Sequence, residues 1–125
     1  MKRRILLVDD DVAVLLTLKA VLEMHDFEVH TAQSVPDAVG KLTSGTYQMV
    51  ITDMRMESAT SGYEVARAAR GLPDQPAVIV LTGFPMLARE WKSAGVYAML
   101  QKPAPINRVL ETIEQAQADR TSRKK

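Results

Sequence analysis

Ile5-Leu6-Leu7-Val8-Asp9-Asp10-Asp11 decides how the rest of the chain is read: four apolar residues run without a polar break and then stop at three carboxylates. With Met1-Lys2-Arg3-Arg4 in front, the run has the outline of a secretory leader, but the acids close it after Val8, far too early. It reads as a strand. A strand that is apolar at every position, rather than at every second one, is covered on both faces, as in a parallel sheet packed between helices. Met49-Val50-Ile51 and Ala77 to Leu81 repeat the pattern, rich in β-branched residues and bounded by polar, Pro or Gly residues. Glu28-Val29-His30-Thr31-Ala32 and Val96 to Leu100 are weaker strand candidates.

Between these runs the spacing changes to that of helices. Residues 12 to 24 carry Val14, Leu15, Leu18, Val21 and Leu22 on one face, and residues 35 to 43 carry Val35, Ala38, Val39 and Leu42. A third helix is predicted from about Gly62 to Arg70, stopped by Gly71-Leu72-Pro73, and a fourth from about Met86 to Ser93, stopped by Gly95. In the last, Ile106, Val109, Leu110, Ile113 and Ala116 share a face, with Pro105 expected in the first turn. Strand then helix, five times over, is the pattern of an α/β protein with an open, doubly wound parallel sheet. In such sheets ligands bind beyond the carboxyl ends of the strands.

Composition narrows the function classes. At 125 residues, 46% apolar and 25% charged, the chain has the balance of one ordinary soluble domain. We expect that domain over residues 1–118, with 119–125 a basic, frayed tail or the start of a linker. Nothing after residue 118 reads as a DNA-binding or enzymatic output segment, so a stand-alone domain and a piece of a longer protein both fit. Without cysteine there are no disulfides and no thiolate chemistry, and a cytoplasmic location is expected. No apolar stretch approaches the ~20 residues needed to cross a bilayer. A net charge of +1 gives no field favouring nucleic acid or an anionic membrane.

The chemistry lies at the strand ends. The first ends in Asp9 and Asp10, the third in Asp53, the fourth in Thr82, and the fifth runs into Lys102-Pro103. Three carboxylates brought close together raise one another's pKa and call for a compensating cation. Oxygen donors with neither cysteine nor a nearby histidine suit Mg²⁺; the chain has no loop of the kind that cages Ca²⁺. Lys102 adds a fixed positive charge and Thr82 a hydroxyl, the groups wanted around a phosphoryl in transfer. Asp53, alone on the central strand, is the candidate nucleophile, giving an acyl phosphate.

Val8-Asp9-Asp10-Asp11, Thr52-Asp53-Met54-Arg55-Met56, Val80-Leu81-Thr82-Gly83 and Gln101-Lys102-Pro103, in this order and spacing, resemble the receiver domain of bacterial response regulators. The resemblance covers about Arg4 to Gln117. It implies a five-stranded, flavodoxin-like sheet of order 2-1-3-4-5 with five helices, and a phosphorylation-driven signalling switch. By it Asp53 is the phosphoacceptor, Asp10 a direct Mg²⁺ ligand and Asp9 an outer-shell acid. The backbone carbonyl of Arg55 completes the protein ligands, Lys102 pairs with phosphoryl oxygens, and Thr82 bonds the phosphoryl once it arrives. Gly83 leaves room for that group. It further implies a cis Lys102-Pro103 bond, a histidine kinase or phosphotransfer protein as donor and an effector protein or domain as reader. A homodimer is compatible.

The chain departs from the family pattern in places. Met99 stands where an aromatic residue is usual, three positions before the lysine; Tyr97 is expected by alternation to face the same way. Glu57 follows Met56 where Pro is usual, and one extra residue precedes Gly62, so Glu57-Ser58-Ala59-Thr60-Ser61 is expected to be a polar, flexible loop. Arg55 and Phe84 hold the two variable positions flanking the phosphoryl and are expected to shield it from water. Asp11 reads as a helix cap. His25 and His30 read as ordinary histidines, and the seven Met residues as packing. Trp91 with Met86 and Leu87 fits either a docking stripe or a packed helix underside.

Three other classes would need different residues or different behaviour. A pseudo-receiver, binding a partner without phosphorylation, is the main alternative. A phosphohydrolase with an aspartyl nucleophile generally uses an acid two residues on, where this chain has Arg55. A flavin site lacks its Ser/Thr/Gly-rich loop after the first strand.

Overall fold

A computed structural model describes residues 2–84 and 88–123, the side chains of 88 and 121–123 excepted. Along the chain, strands and helices alternate as β1 (Arg3–Val8), α1 (Val12–Met24), β2 (Phe27–Ala32), α2 (Val35–Ser44), β3 (Met49–Asp53), α3 (Ser61–Arg70), β4 (Ala77–Thr82), α4 (Ala88–Ser93), β5 (Ala98–Gln101) and α5 (Ile106–Arg123). The strands form one parallel sheet in the order β2-β1-β3-β4-β5, as the resemblance implies.

Alternation along the fully apolar strands feeds two separate cores. Ile5, Leu7, Met49, Ile51, Ile79 and Leu81 point to one face, covered by Leu15 and Leu22 of α1 and Val109, Ile113 and Ala116 of α5. Leu6, Val8, Val50, Val78 and Val80 point to the other, covered by Ala38 and Leu42 of α2 and Val65, Ala66 and Ala69 of α3. This is why the runs show no polar break: each side chain meets a helix whichever way it points. Truncating a central member such as Ile51, 1% exposed, to Ala would cost about 2–5 kcal/mol.

The helix starts follow local chemistry. Asp11 caps α1, its carboxylate accepting from the amides of Ala13 (2.9 Å) and Val14 (3.3 Å). Ser34 caps α2 through the Asp37 amide (3.1 Å), and Asp37 reaches back to the Gln33 amide (3.2 Å). Pro105 precedes α5 rather than standing inside it, and its carbonyl accepts from Arg108 and Val109.

Two expectations are corrected. α5 continues to Arg123, so Arg120 is no frayed tail: its guanidinium donates to the carbonyls of Gln48 (2.7 Å) and Asp74 (2.9 Å). Two fixed carbonyls at the amino end of the sheet hold that turn down. Tyr97 also does not share a face with Met99. It packs against the α1/α5 core and donates to Asp119 of α5 (2.5 Å), whereas Met99 packs against the α2/α3 core. Tyr97 lies before the first strand residue, Ala98, where the period-two rule has not yet begun. Trp91 packs against the α2/α3 core, while Met86, Leu87, Lys124 and Lys125 lie outside the described residues. No helix among the described residues is long and apolar enough to cross a membrane.

Candidate functional site

Parallel register puts the carboxyl ends of β1, β3 and β4 side by side, with Val8 beside Thr52 and Asp53 beside Leu81. The residues just beyond therefore meet. Carboxylate oxygens of Asp9, Asp10 and Asp53 lie within 4.8 Å of one another. Asp9 is 5% exposed; its Oδ1 accepts from the Asp11 amide (2.9 Å), which fixes the side chain inward while Asp11 turns away to cap α1. Asp53 Oδ1 accepts from the Met54 amide (2.9 Å) and is 3.0 Å from Lys102 Nζ, which also lies 3.6 Å from Asp9 Oδ2.

Lys102 is delivered by its backbone: its amide donates to the Thr82 carbonyl (2.7 Å), and a cis peptide bond to Pro103 follows. Thr82 is buried, with a hydroxyl that donates to the Phe84 carbonyl (3.0 Å) and accepts from the Phe84 amide (3.1 Å). Beside it, the space where Gly83 would carry a Cβ is open. Arg55 lies with its guanidinium 4.7 Å from the centre of the Phe84 ring, which is 60% exposed, so the residues two beyond Asp53 and two beyond Thr82 stack on each other.

The electrostatics are unbalanced. Burial pushes the Asp9 carboxyl above the ordinary range; the Asp11 amide opposes this, and the negative charges of Asp53 and Asp10 reinforce it. Burial alone would lower Lys102, but its hydrogen bond and charge contact with Asp53, with Asp9 beyond, outweigh it and raise the ammonium's pKa. Three carboxylates against one ammonium leave an excess of two negative charges in a pocket of oxygen donors. A hard divalent cation such as Mg²⁺ fits that donor set and that charge.

The loop after Asp53 is ordered by contacts that no local sequence signal announces. Gly62 is needed where it stands: a Cβ would come 3.0 Å from Met54 Cα and 3.1 Å from the Asp53 carbonyl, and the Gly62 amide donates to the Met54 carbonyl (2.9 Å). Ser61 is fully buried and exchanges bonds with the backbone of Ser58. Glu57 accepts from the amide of Val35, the first residue of α2 (2.8 Å). The flexible loop expected from its polar composition is thus a hydrogen-bonded one. The histidines stay apart from the pocket: His25 ends α1, and His30 bridges Tyr47 (2.8 Å) and Glu28 (2.9 Å).

The profile of the response regulator receiver domain matches residues 5–114, nearly the whole chain. The chain belongs to this family. As a receiver domain it is 32% identical over 120 residues to the acid tolerance regulatory protein ActR of Rhizobium meliloti, a match spanning 94% of this chain and 61% of ActR. The chain thus spans about three fifths of that curated relative. Among solved structures, a receiver domain protein from Clostridium thermocellum superposes with a TM-score of 0.86 at 30% identity, covering 95% of this chain and 97% of the other. The response regulator TrrA of Thermotoga maritima, solved in complex with Mg²⁺ and BeF, gives 0.80 at 29% identity over 91% and 98%. Receiver domains act in two-component systems, with histidine kinases or phosphotransfer proteins on one side and effector domains on the other, and are not enzymes in the ordinary sense.

Proposed function

We propose that this receiver domain is a phosphorylation-dependent switch of the cytoplasm, and that Asp53 accepts a phosphoryl group from a phosphohistidine on a kinase or phosphotransfer partner. The observation that carries this reading is the meeting of the Asp9, Asp10 and Asp53 carboxylates, within 4.8 Å, with Lys102 Nζ 3.0 Å from Asp53. Oδ1 of Asp53 is engaged by Lys102 and the Met54 amide, which leaves Oδ2 to attack phosphorus. The phosphorus–nitrogen bond to the donor imidazole breaks as the bond to Oδ2 forms, and the imidazole leaves with the electron pair.

Asp10, Asp53 and the Arg55 carbonyl would hold Mg²⁺, with Asp9 in the outer shell. The ion supplies charge neutralisation for the entering phosphoryl oxygens. Lys102 exchanges its contact with Asp53 for one with a phosphoryl oxygen. Thr82 carries a hydroxyl whose two bonds both go to Phe84, a short loop it can exchange for the phosphoryl group. The new charge then biases an existing equilibrium between two arrangements of these loops, which an effector reads. The stacked Arg55 and Phe84 shield the acyl phosphate from water and lengthen its life.

The test is incubation with acetyl phosphate and Mg²⁺ followed by intact mass measurement. We expect one added phosphoryl on the unmodified chain and none on Asp53→Asn. A chain that gained no mass with magnesium present would instead be a pseudo-receiver, a reading the complete set of Asp10, Asp53, Thr82 and Lys102 disfavours.

A further inference from the structure

The β3–α3 loop carries Arg55, and its anchorage involves an element remote from the pocket. Glu57 Oε2 accepts from the Val35 amide at 2.8 Å. That amide belongs to the first turn of α2, where amides have no partner inside the helix. Ser34 and Asp37 already occupy the neighbouring amides of Asp37 and Gln33, so Glu57 completes the cap from another part of the chain. Met56 and Val35 pack against the same apolar core, which brings the two segments together independently of that bond. Between Met54 and Ser58 the other described backbone hydrogen bond is a long one, from the Met56 amide to the Ser58 carbonyl (3.3 Å), and the Arg55 side chain stacks on Phe84 without holding the Arg55 backbone. Beyond it, Ser58 and Ser61 fasten only the far end.

We infer that Glu57 is a positioning residue for the metal site: by clamping the loop to the start of α2 it fixes the backbone of Arg55, two residues earlier, whose carbonyl is assigned to Mg²⁺. This inference rests on the proposed Mg²⁺ site. It acts through a hydrogen bond rather than through the charge of Glu57, so an isosteric amide, which keeps an acceptor oxygen, preserves it.

The test is calorimetric titration of Mg²⁺ into the unmodified chain, Glu57→Ala and Glu57→Gln, with amide exchange at Val35 followed by NMR. Partners that orient a metal ligand typically carry about 10-fold or more in affinity. Glu57→Ala should therefore bind Mg²⁺ about 10-fold more weakly and lose protection at Val35, while amides of β1 and β3 stay protected. Glu57→Gln should remain within about 2-fold of the unmodified chain. Equal affinity in all three proteins would overturn the positioning role while leaving the site intact. Equal weakening by Ala and Gln would overturn it in favour of a plain charge effect. If the unmodified chain bound no Mg²⁺, the site itself would fall, and this inference with it.

Discussion

At the amino ends of the strands, Arg3 holds Glu114 through two bonds of 2.7 and 2.9 Å, Arg4 meets Glu28 at 2.6 Å, and Arg120 donates to the carbonyls of Gln48 and Asp74. Tyr97 meets Asp119 there as well. At the carboxyl ends, three acids face one lysine, and burial disfavours the charged form of Asp9. The same sheet is therefore balanced at one end and short of positive charge at the other. The balanced end ties helices to strands and serves stability. The unbalanced end calls for a cation, and the function proposed for it comes at a cost in stability.

Substitutions can break that contrast, and their effects should fall in order. Asp53→Asn removes the proposed acceptor and should abolish phosphorylation by acetyl phosphate, as read by intact mass, while the chain stays folded. Asp10→Asn takes away one charge of the excess; Mg²⁺ affinity measured by calorimetric titration should drop about 10-fold or more. At the opposite end Arg120→Ala should cost about 1–2 kcal/mol in urea unfolding, the worth of charged hydrogen bonds to one part-buried and one exposed carbonyl, and leave the phosphorylation rate unchanged. A loss of phosphorylation in that variant would mean that the two ends are not separable. Phe84→Ala, which removes the stack on Arg55, should speed loss of the phosphoryl group several-fold; an unchanged hydrolysis rate would remove the shielding role.

The smallest effect concerns Glu114, whose carboxyl the hydrogen bond from Arg3 holds below its ordinary range. A depressed carboxyl contributes stability above its unfolded value of 4.5, and that contribution disappears as pH falls through the lower folded value. Because Glu114 is mostly exposed and Arg3 partly so, Glu114→Gln should cost only about 0.5 kcal/mol at neutral pH and nothing in strong acid, in paired urea titrations.

The parts of the molecule visible in the sequence are those with a local cause. Apolar runs such as Ile5 to Val8 announce strands buried on both faces, and Asp9, Asp10, Asp53 and Lys102 follow those strands directly, so the pocket could be assembled from strand ends. Asp11 could be told from its neighbours as a cap. What escaped depends on partners remote in the chain. Arg120 looked like a solvated tail because its acceptors, the carbonyls of Gln48 and Asp74, carry no residue signature. Glu57 and Ser61 looked like loose loop residues for the same reason. Tyr97 was misdirected because alternation applies only within a strand, and the start of β5 is set by pairing with β4, not by composition.

The tight seat of Gly62 against Met54 and Asp53 makes one wall of the pocket unyielding, since the Met54 amide is in turn fixed to the Leu81 carbonyl at 3.0 Å. A phosphoryl group on Asp53, as proposed above, would find no give on that side. Its push would have to travel the other way, through the Thr82 hydroxyl and the two-residue bend to Phe84, so that the proposed signal takes its direction from which wall can recoil.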